Sequence, residues 1–399
     1  MPSESKMSRR TFLWAIGSLS AMAAVGGVRW TAAAEQAAPK SKALLSAAWL
    51  DKGDMSYTLF QEMVDKATDF SWLKSGDTVF VKLALNSGNL YPATTDPWAL
   101  DCILKVLRDK GASTILVGDQ SGARNVYWTQ AGQQRGSSRE FARTSGLLEV
   151  IEANKATPVF FEERGYDAYV AVTPENGHWK TPMYVTSLLN EVDHLVNMPR
   201  VGSHALADYT SGFKNSVGYL REDSRRVLHT GGADFYAMFE EINEIPEIKS
   251  KLRLTVSSSR KVMSLVGPDA GYVVEPSSAP VFASTNLLAH DLYAYAFLQY
   301  SRNKLTPVPA SHPDIPGNLW DVTTMRSERN RRFVKYVWGL EADQVPELPV
   351  FQPGKIYNHP AIQNYIRLNP QSELTFSVVE LRKSPDKEVE LFMQQQLQV

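Results

Sequence analysis

Residues 78–119 read TVFVKLALNSGNLYPATTDPWALDCILKVLRDKGASTILVGD, and this stretch decides the fold. TVFVKL (78–83) is an apolar, β-rich run, and STILVG (113–118) is another. Between them, PWALDCILKVLRDK (97–110) repeats its apolar residues at helical spacing. Pro97 opens that helix at a position whose N–H needs no partner, and Gly111 closes it. A strand, a helix and a strand of these lengths pack as a crossover between parallel strands. The expected fold class is therefore α/β, a mostly parallel sheet flanked by helices.

The same alternation continues outward. A helix is expected over 139–155, a strand over 158–163 (PVFFEE), a helix-like piece ending at 188–192 and a strand over 194–198 (HLVNM). Residues 234–252 read as a helix interrupted near Pro246, and 253–257 and 280–284 as strands. Residues 287–302 (LLAHDLYAYAFLQYSR) read as a strong amphipathic helix. The proline-rich stretch 305–319 has no periodicity and reads as a linker or wrapping segment. A helix near 324–339 and a strand over 374–381 follow. The expected organisation is a lead-in at 35–77, a main α/β domain at 78–304 and a C-terminal extension at 305–399 packing on it.

The first 34 residues read as a signal outside the fold. Ser8-Arg9-Arg10-Thr11-Phe12-Leu13 sets paired arginines directly before an apolar run, Trp14 to Val28, and Ala32-Ala33-Ala34 is a small-residue cleavage pattern. That is the form of a twin-arginine export signal, which makes the twin-arginine translocase a partner and the periplasm or another extracytoplasmic space the destination. The run is too short to span a bilayer comfortably, so no stable membrane span is expected after cleavage. Cleavage would remove Lys6, Arg9, Arg10, Arg29 and Glu4, taking the net charge from −1 to −4. No basic excess remains to neutralise phosphates, which argues against nucleic-acid binding. Cys102 is the only cysteine, so a disulfide within the chain and an iron–sulfur cluster are both excluded. Its place among Leu100, Ile103, Leu104 and Leu107 makes it a small buried hydrophobe.

Ligands of such sheets bind at the carboxyl ends of the strands. Lys82 and Asn86 fall at the first strand's end, and Asp119 at the second's. Thr94, Thr95 and Asp96 precede the helix, where they could cap it or hold an anion. The loop GSHALADYTSGFKNSVG (202–218) follows strand 194–198 and brings His204, Lys214 and Asn215. Gly267-Pro268-Asp269-Ala270-Gly271 is a turn by composition. Asp291 lies in an apolar helix, where a carboxylate is either buried and paired or faces a cleft.

These blocks resemble the "domain of unknown function 362" family. VFVKLALNSGN…PATTDP and GASTILVGDQSG are two matches, and EVDHLVNMPRVGSHALADYTSGFKNSVGYL, with His229 beyond it, is the most specific. KLRLTVSSSRKVMSLVGPDAGY…VFASTNLLAHDLYA is the fourth, and NHPAI (358–362) resembles the family's C-terminal end, so the likeness runs from about Thr78 to Ile362. Gly202 stands where relatives often have lysine, Ser257–Ser259 and Asn286 where aspartate is usual, and the cysteine-rich ferredoxin module of many members is absent. The resemblance implies no assigned reaction. Chemistry suggests an exported enzyme acting on a small anionic metabolite. Lys82 and Lys214 would bind the anion, and His204 would move a proton. Asp119, counted with His204 and Lys214 as catalytic, would, like Asp291, orient groups or hold a metal, and Asn86, Thr95, Asn215 and His229 would contact the ligand. Asp291 and His204 could hold a divalent metal. The alternatives are a periplasmic ligand- or metal-binding protein without turnover, and an accessory protein of an exported redox enzyme.

Overall fold

The computed structural model describes residues 11–13 and 43–397, except 175–176, 307, 310–324, 351–354, 373, 375 and 382–385. Thr11–Leu13, read as part of a signal outside the fold, instead lies at an edge of the main sheet, while the arginine pair, the apolar run beyond Leu13, the cleavage pattern and most of 305–319 lie outside the described residues. Nine strands form the main sheet: β1 (Thr11–Leu13), β2 (Ala43–Asp51), β3 (Thr78–Leu83), β4 (Thr114–Asp119), β5 (Thr157–Phe160), β6 (His194–Met198), β7 (Leu252–Ser258), β8 (Ser278–Ser284) and β9 (Phe376–Leu381). Their spatial order is β1-β9-β2-β8-β7-β6-β3-β4-β5. β8 runs against both its neighbours and β1 against β9, while every other pair is parallel. The sheet is the mostly parallel one read from the sequence.

The opening stretch forms as expected. β3 and β4 pair in parallel from Thr78↔Thr114 to Lys82↔Gly118, with α2 (Pro97–Asp109) crossing between them. Asp96 caps α2 by accepting from Trp98 N, and Pro97 occupies the first turn. Alternate residues of the strands feed two cores. Val79, Val81, Ile115, Val117 and Val196 meet α2 and α1 (Tyr57–Ala67) on one face. Phe80, Leu195, Phe282 and Trp49 face the other side, where α4 lies (Leu287–Lys304; α3 is Glu222–His229). Each such side chain contributes about 1.5–3 kcal/mol by leaving water. Cys102 is buried in the first core, and burial pushes its thiol up to about 12, consistent with a packing role.

Four local readings need correction. The helix expected over 139–155 is two, Ser138–Thr144 and Leu147–Ala153, because Gly146 between them takes a positive φ of 78°. The strand expected over 158–163 stops at Phe160, and Phe161–Arg164 turns as a 3-10 helix, with buried Glu162 accepting from Ser138 N at 2.7 Å. The piece ending at 188–192 is only a 3-10 turn, Ser187–Asn190. α4 is not amphipathic in place: every residue from Leu287 to Ser301 is buried, because the sheet covers one side and C-terminal elements the other. The break near Pro246 is present, between helices Phe235–Asn243 and Pro246–Lys251.

Segments flanking the crossover also enter the sheet. β2 comes from the stretch before Thr78, and β9 from the stretch after α5 (Arg326–Trp338). A second sheet of five strands, in the order 208–210, 202–204, 262–266, 271–274 and 308–309, frames the loop that follows β6. Among the described residues no helix is long and apolar enough to cross a membrane.

Asp96 joins the two ends of this framework. Besides capping α2, it accepts from Ser258 Oγ at 2.7 Å and pairs with Arg260 at 2.8 Å. Asp96→Ala is expected to cost about 2–3 kcal/mol in urea unfolding, from a lost cap and a stranded guanidinium. Asp96→Asn keeps the cap and should lose clearly less. Equal losses for the two would refute this division of roles.

Candidate functional site

A cavity of about 100 Å³ opens at the carboxyl ends of β3, β4 and β6. Leu85 and Asn86 follow β3, Asp119 ends β4 with Gln120 behind it, and Arg200 follows β6. The loop after β6 adds His204, Lys214 and Asn215, and α3 adds Arg225 and His229. The strand-end rule therefore holds for three separate strands.

Several residues read as ligand groups are instead used to build the walls. Lys82 is buried beneath the cavity, 2.7 Å from Asp119 Oδ1, and donates to Leu83 O at 2.8 Å. Burial lowers its pKa against the opposing pull of Asp119. Asp119 borders the cavity, but its carboxylate also accepts from Leu85 N at 3.0 Å and Gln120 N at 2.7 Å. Thr95 is buried away from the cavity lining, donating to Met198 O at 2.7 Å and accepting from Ala84 N at 2.8 Å. Asp291 does not reach the cavity lining either. Its carboxylate accepts from Phe213 N at 3.2 Å and lies 3.3 Å from His290 Nδ1. His204 and Asp291 are thus not assembled around this cavity as metal partners. Among the described residues no group of three or more His, Cys, Asp or Glu is placed to hold a metal ion.

Asn86 and Asn215 border the cavity with their amides engaged. Asn86 Nδ2 donates to Asp269 Oδ1, and Asn125 Nδ2 donates to Asp269 Oδ2 at 3.2 Å. The 267–271 turn thus serves the site through a side chain, Asp269, whose carboxyl burial pushes up. Asn215 Nδ2 donates to Asn197 Oδ1 at 2.6 Å, which holds the helical turn carrying Lys214. Arg225 gives its donors to the carbonyls of Leu220, Gln120, Ser121 and Gly218, so it clamps backbone. Gly218 allows this closeness, since a Cβ there would strike Asp119 and Lys82.

Four cations border the cavity; Arg225 is used on carbonyls and Arg124 lies 5.7 Å from the Tyr336 ring centroid, which leaves Arg200 and Lys214 for a ligand. Arg200 is 3% exposed, borders the cavity, and its Nη1 is buried with no hydrogen-bond partner. An unmade bond of that kind is costly, so Nη1 calls for a partner from water, an ion or a ligand in the cavity. Burial lowers Arg200 to about 10, still fully charged at neutral pH. The sequence reading passed over Arg200, although it obeys the same rule, two residues beyond β6. Lys214 also borders the cavity, and burial, helped by Arg225, Arg200 and Lys82, lowers it to about 7.

The two histidines are neutral and complementary. His204 Nδ1 accepts from Leu206 N at 3.2 Å and Ala207 N at 3.3 Å, so Nε2 carries its proton. Burial, then Lys214 and Arg200, hold its pKa well below the usual value. His229 Nδ1 lies 2.7 Å from Arg225 O and donates to it, leaving a lone pair on Nε2. Burial and Lys214 lower His229 to about 3. One ring can give a proton and the other can take one.

No curated protein matches this chain. Among solved structures it is similar to a protein from Thermotoga maritima, at 14% identity and a TM-score of 0.42, covering 64% of this chain and 61% of that one. It is also similar to the lactate racemase apoprotein from Thermoanaerobacterium thermosaccharolyticum, at 13% identity and a TM-score of 0.40, covering 64% of this chain and 56% of that one. The chain thus spans about three fifths of these proteins' lengths. The family model described as domain of unknown function (DUF362) matches residues 79–296, which is more than half of the chain and takes in β3, β4, β6, the loop with His204 and Lys214, and Asp291, so the chain belongs to that family.

Proposed function

We propose that the chain is an enzyme that binds a small anionic metabolite in this cavity and moves a proton on it. The observation that carries the reading is the Arg200 guanidinium, buried at the cavity wall with an unpartnered Nη1 beside the Lys214 side chain. An anion supplies a hydrogen-bond partner for Arg200 Nη1 and a counter-charge for Lys214. Arg200 offers a planar, fixed fork of donors to a carboxylate or phosphate. Lys214 offers a point charge whose protonation follows pH. His204 Nε2–H and His229 Nε2 supply donor and acceptor for proton transfer next to the anionic group.

The sign of the pH dependence follows from Lys214. Its pKa of about 7 rises when an anion binds beside it, so binding takes up a proton. Affinity is then highest below pH 7 and falls as pH rises. Calorimetry with butyrate, ionised throughout this range, should show about a tenfold loss between pH 7 and pH 8.5. Lys214→Met should bind weakly with no such slope, and Arg200→Met weakly with the slope moved to higher pH, because Arg200 helps to lower Lys214. A flat profile in the unaltered protein would sink the anion site.

Turnover is separable from binding. Exchange of substrate protons in deuterated water, followed by proton NMR over a panel of small carboxylates, should be lost in His204→Gln and in His229→Gln. Butyrate affinity should stay within about threefold, since neither ring supplies charge. Binding with no exchange or conversion of any carboxylate in the unaltered protein would favour a ligand-binding protein without turnover.

Export belongs to the same proposal and is supported by the Ser8–Leu13 motif and the apolar run behind it. Replacing Arg9 and Arg10 together by lysine should leave the protein unprocessed and inside the cytoplasm on fractionation. Normal processing of that variant would refute this route.

A further inference from the structure

The charged wall of the cavity comes from the family-matched part of the chain, residues 79–296. One wall residue does not. Phe333 lies on α5, outside that match, and borders the cavity. Its ring centroid is 4.9 Å from that of His229 and 5.5 Å from that of Trp338. The helix is held there by specific bonds. Asn330, fully buried, donates from Nδ2 to His229 O at 2.8 Å. Trp338 Nε1 donates to Glu222 Oε1, also at 2.8 Å, at the other end of α3. Phe333 is therefore fixed relative to the histidine it touches.

Phe333 is not alone in its chemistry. Ala84, Leu85, Ala123, Leu206 and Val217 also line the cavity. The cavity thus has an apolar part as well as the Arg200 and Lys214 cations. A volume of about 100 Å³ equals about three waters at their liquid volume of about 30 Å³ each. That suits a short acyl anion and is too small for a long one.

Resting on the anion-binding reading, we propose that Phe333 is the residue that sets ligand size. The substrate class is a short aliphatic carboxylate, its head at Arg200 and Lys214 and its tail ending against the Phe333 ring. Specificity then comes from α5, while charge recognition comes from the family's own loops. A well-fitted apolar wall discriminates by about tenfold or more per methylene.

The test is a chain-length series of acetate, butyrate, hexanoate, octanoate and decanoate, measured by calorimetry. In the unaltered protein affinity should climb to butyrate or hexanoate and fall about tenfold or more by decanoate. Phe333→Ala should recover decanoate to within about threefold of hexanoate, and Phe333→Trp should move the fall to a shorter chain. Acetate should bind all three within about twofold, which also shows that the variants are folded. An unmoved fall, or an equal loss for acetate and decanoate, would overturn the proposal while leaving the anion site standing. Failure of every carboxylate to bind the unaltered protein would remove both readings, and acetate binding that is lost in Lys214→Met keeps the first whatever Phe333 does.

Discussion

The Lys82–Asp119 ion pair is the constraint on which the cavity depends. Both groups are buried, and a buried charge survives only when paired and hydrogen-bonded. Asp119 meets that requirement by reaching two loops at once. It accepts from Leu85 N beyond β3 and from Gln120 N beyond β4. The strands are already in parallel register, so the pair fixes how their loops leave the sheet. Tyr219 places its ring 5.3 Å from the Lys82 ammonium and brings the third loop down onto the same point. Three connections are thus anchored to one salt bridge.

The cations around the cavity divide by what satisfies them. Lys82 has a carboxylate and a carbonyl, and Arg225 has four carbonyls. They hold shape and raise the local potential. Arg200 and Lys214 are left facing a space. This arrangement has a stability cost with a definite sign. Lys214 titrates near 7 in the fold, below the ordinary lysine value, so the unfolded chain binds the proton more readily. The cost is full below pH 7 and fades as pH rises toward the ordinary lysine range. A group kept at such a cost is understandable as a functional one.

Much of the fold was legible because local signals agreed. Apolar runs, Pro97, Asp96 and Gly111 all point to one strand–helix–strand unit, and it forms. The misreadings have physical causes. Phe161-Glu162-Glu163 continues an apolar run, yet Glu162 is drawn to Ser138 N, which bends the chain out of the strand. α4 carries polar residues that look solvent-facing, but a central helix can satisfy them inside, as Tyr295 does with Asp208 at 2.6 Å. For the site, the sequence places groups at strand ends without saying which partners claim them. Lys82 and Asp119 claim each other, Thr95 goes to backbone, and Asp291 goes to Phe213 N. Arg200 was legible by position alone. Phe333 was not, since nothing local ties residue 333 to a loop over a hundred residues earlier.

The central sheet also has a temporal side. β2 lies between β8 and β9, and its parallel partner β9 comes from the far end of the described chain. Trp49 Nε1 donates to Glu380 Oε1 across a separation of 331 residues. While a ribosome is still making the chain, β2 has an unpaired edge that no earlier segment can cover. Closing that contact carries the loop-closure entropy of a long separation. Vectorial synthesis therefore cannot finish this sheet until residues 376–381 have emerged.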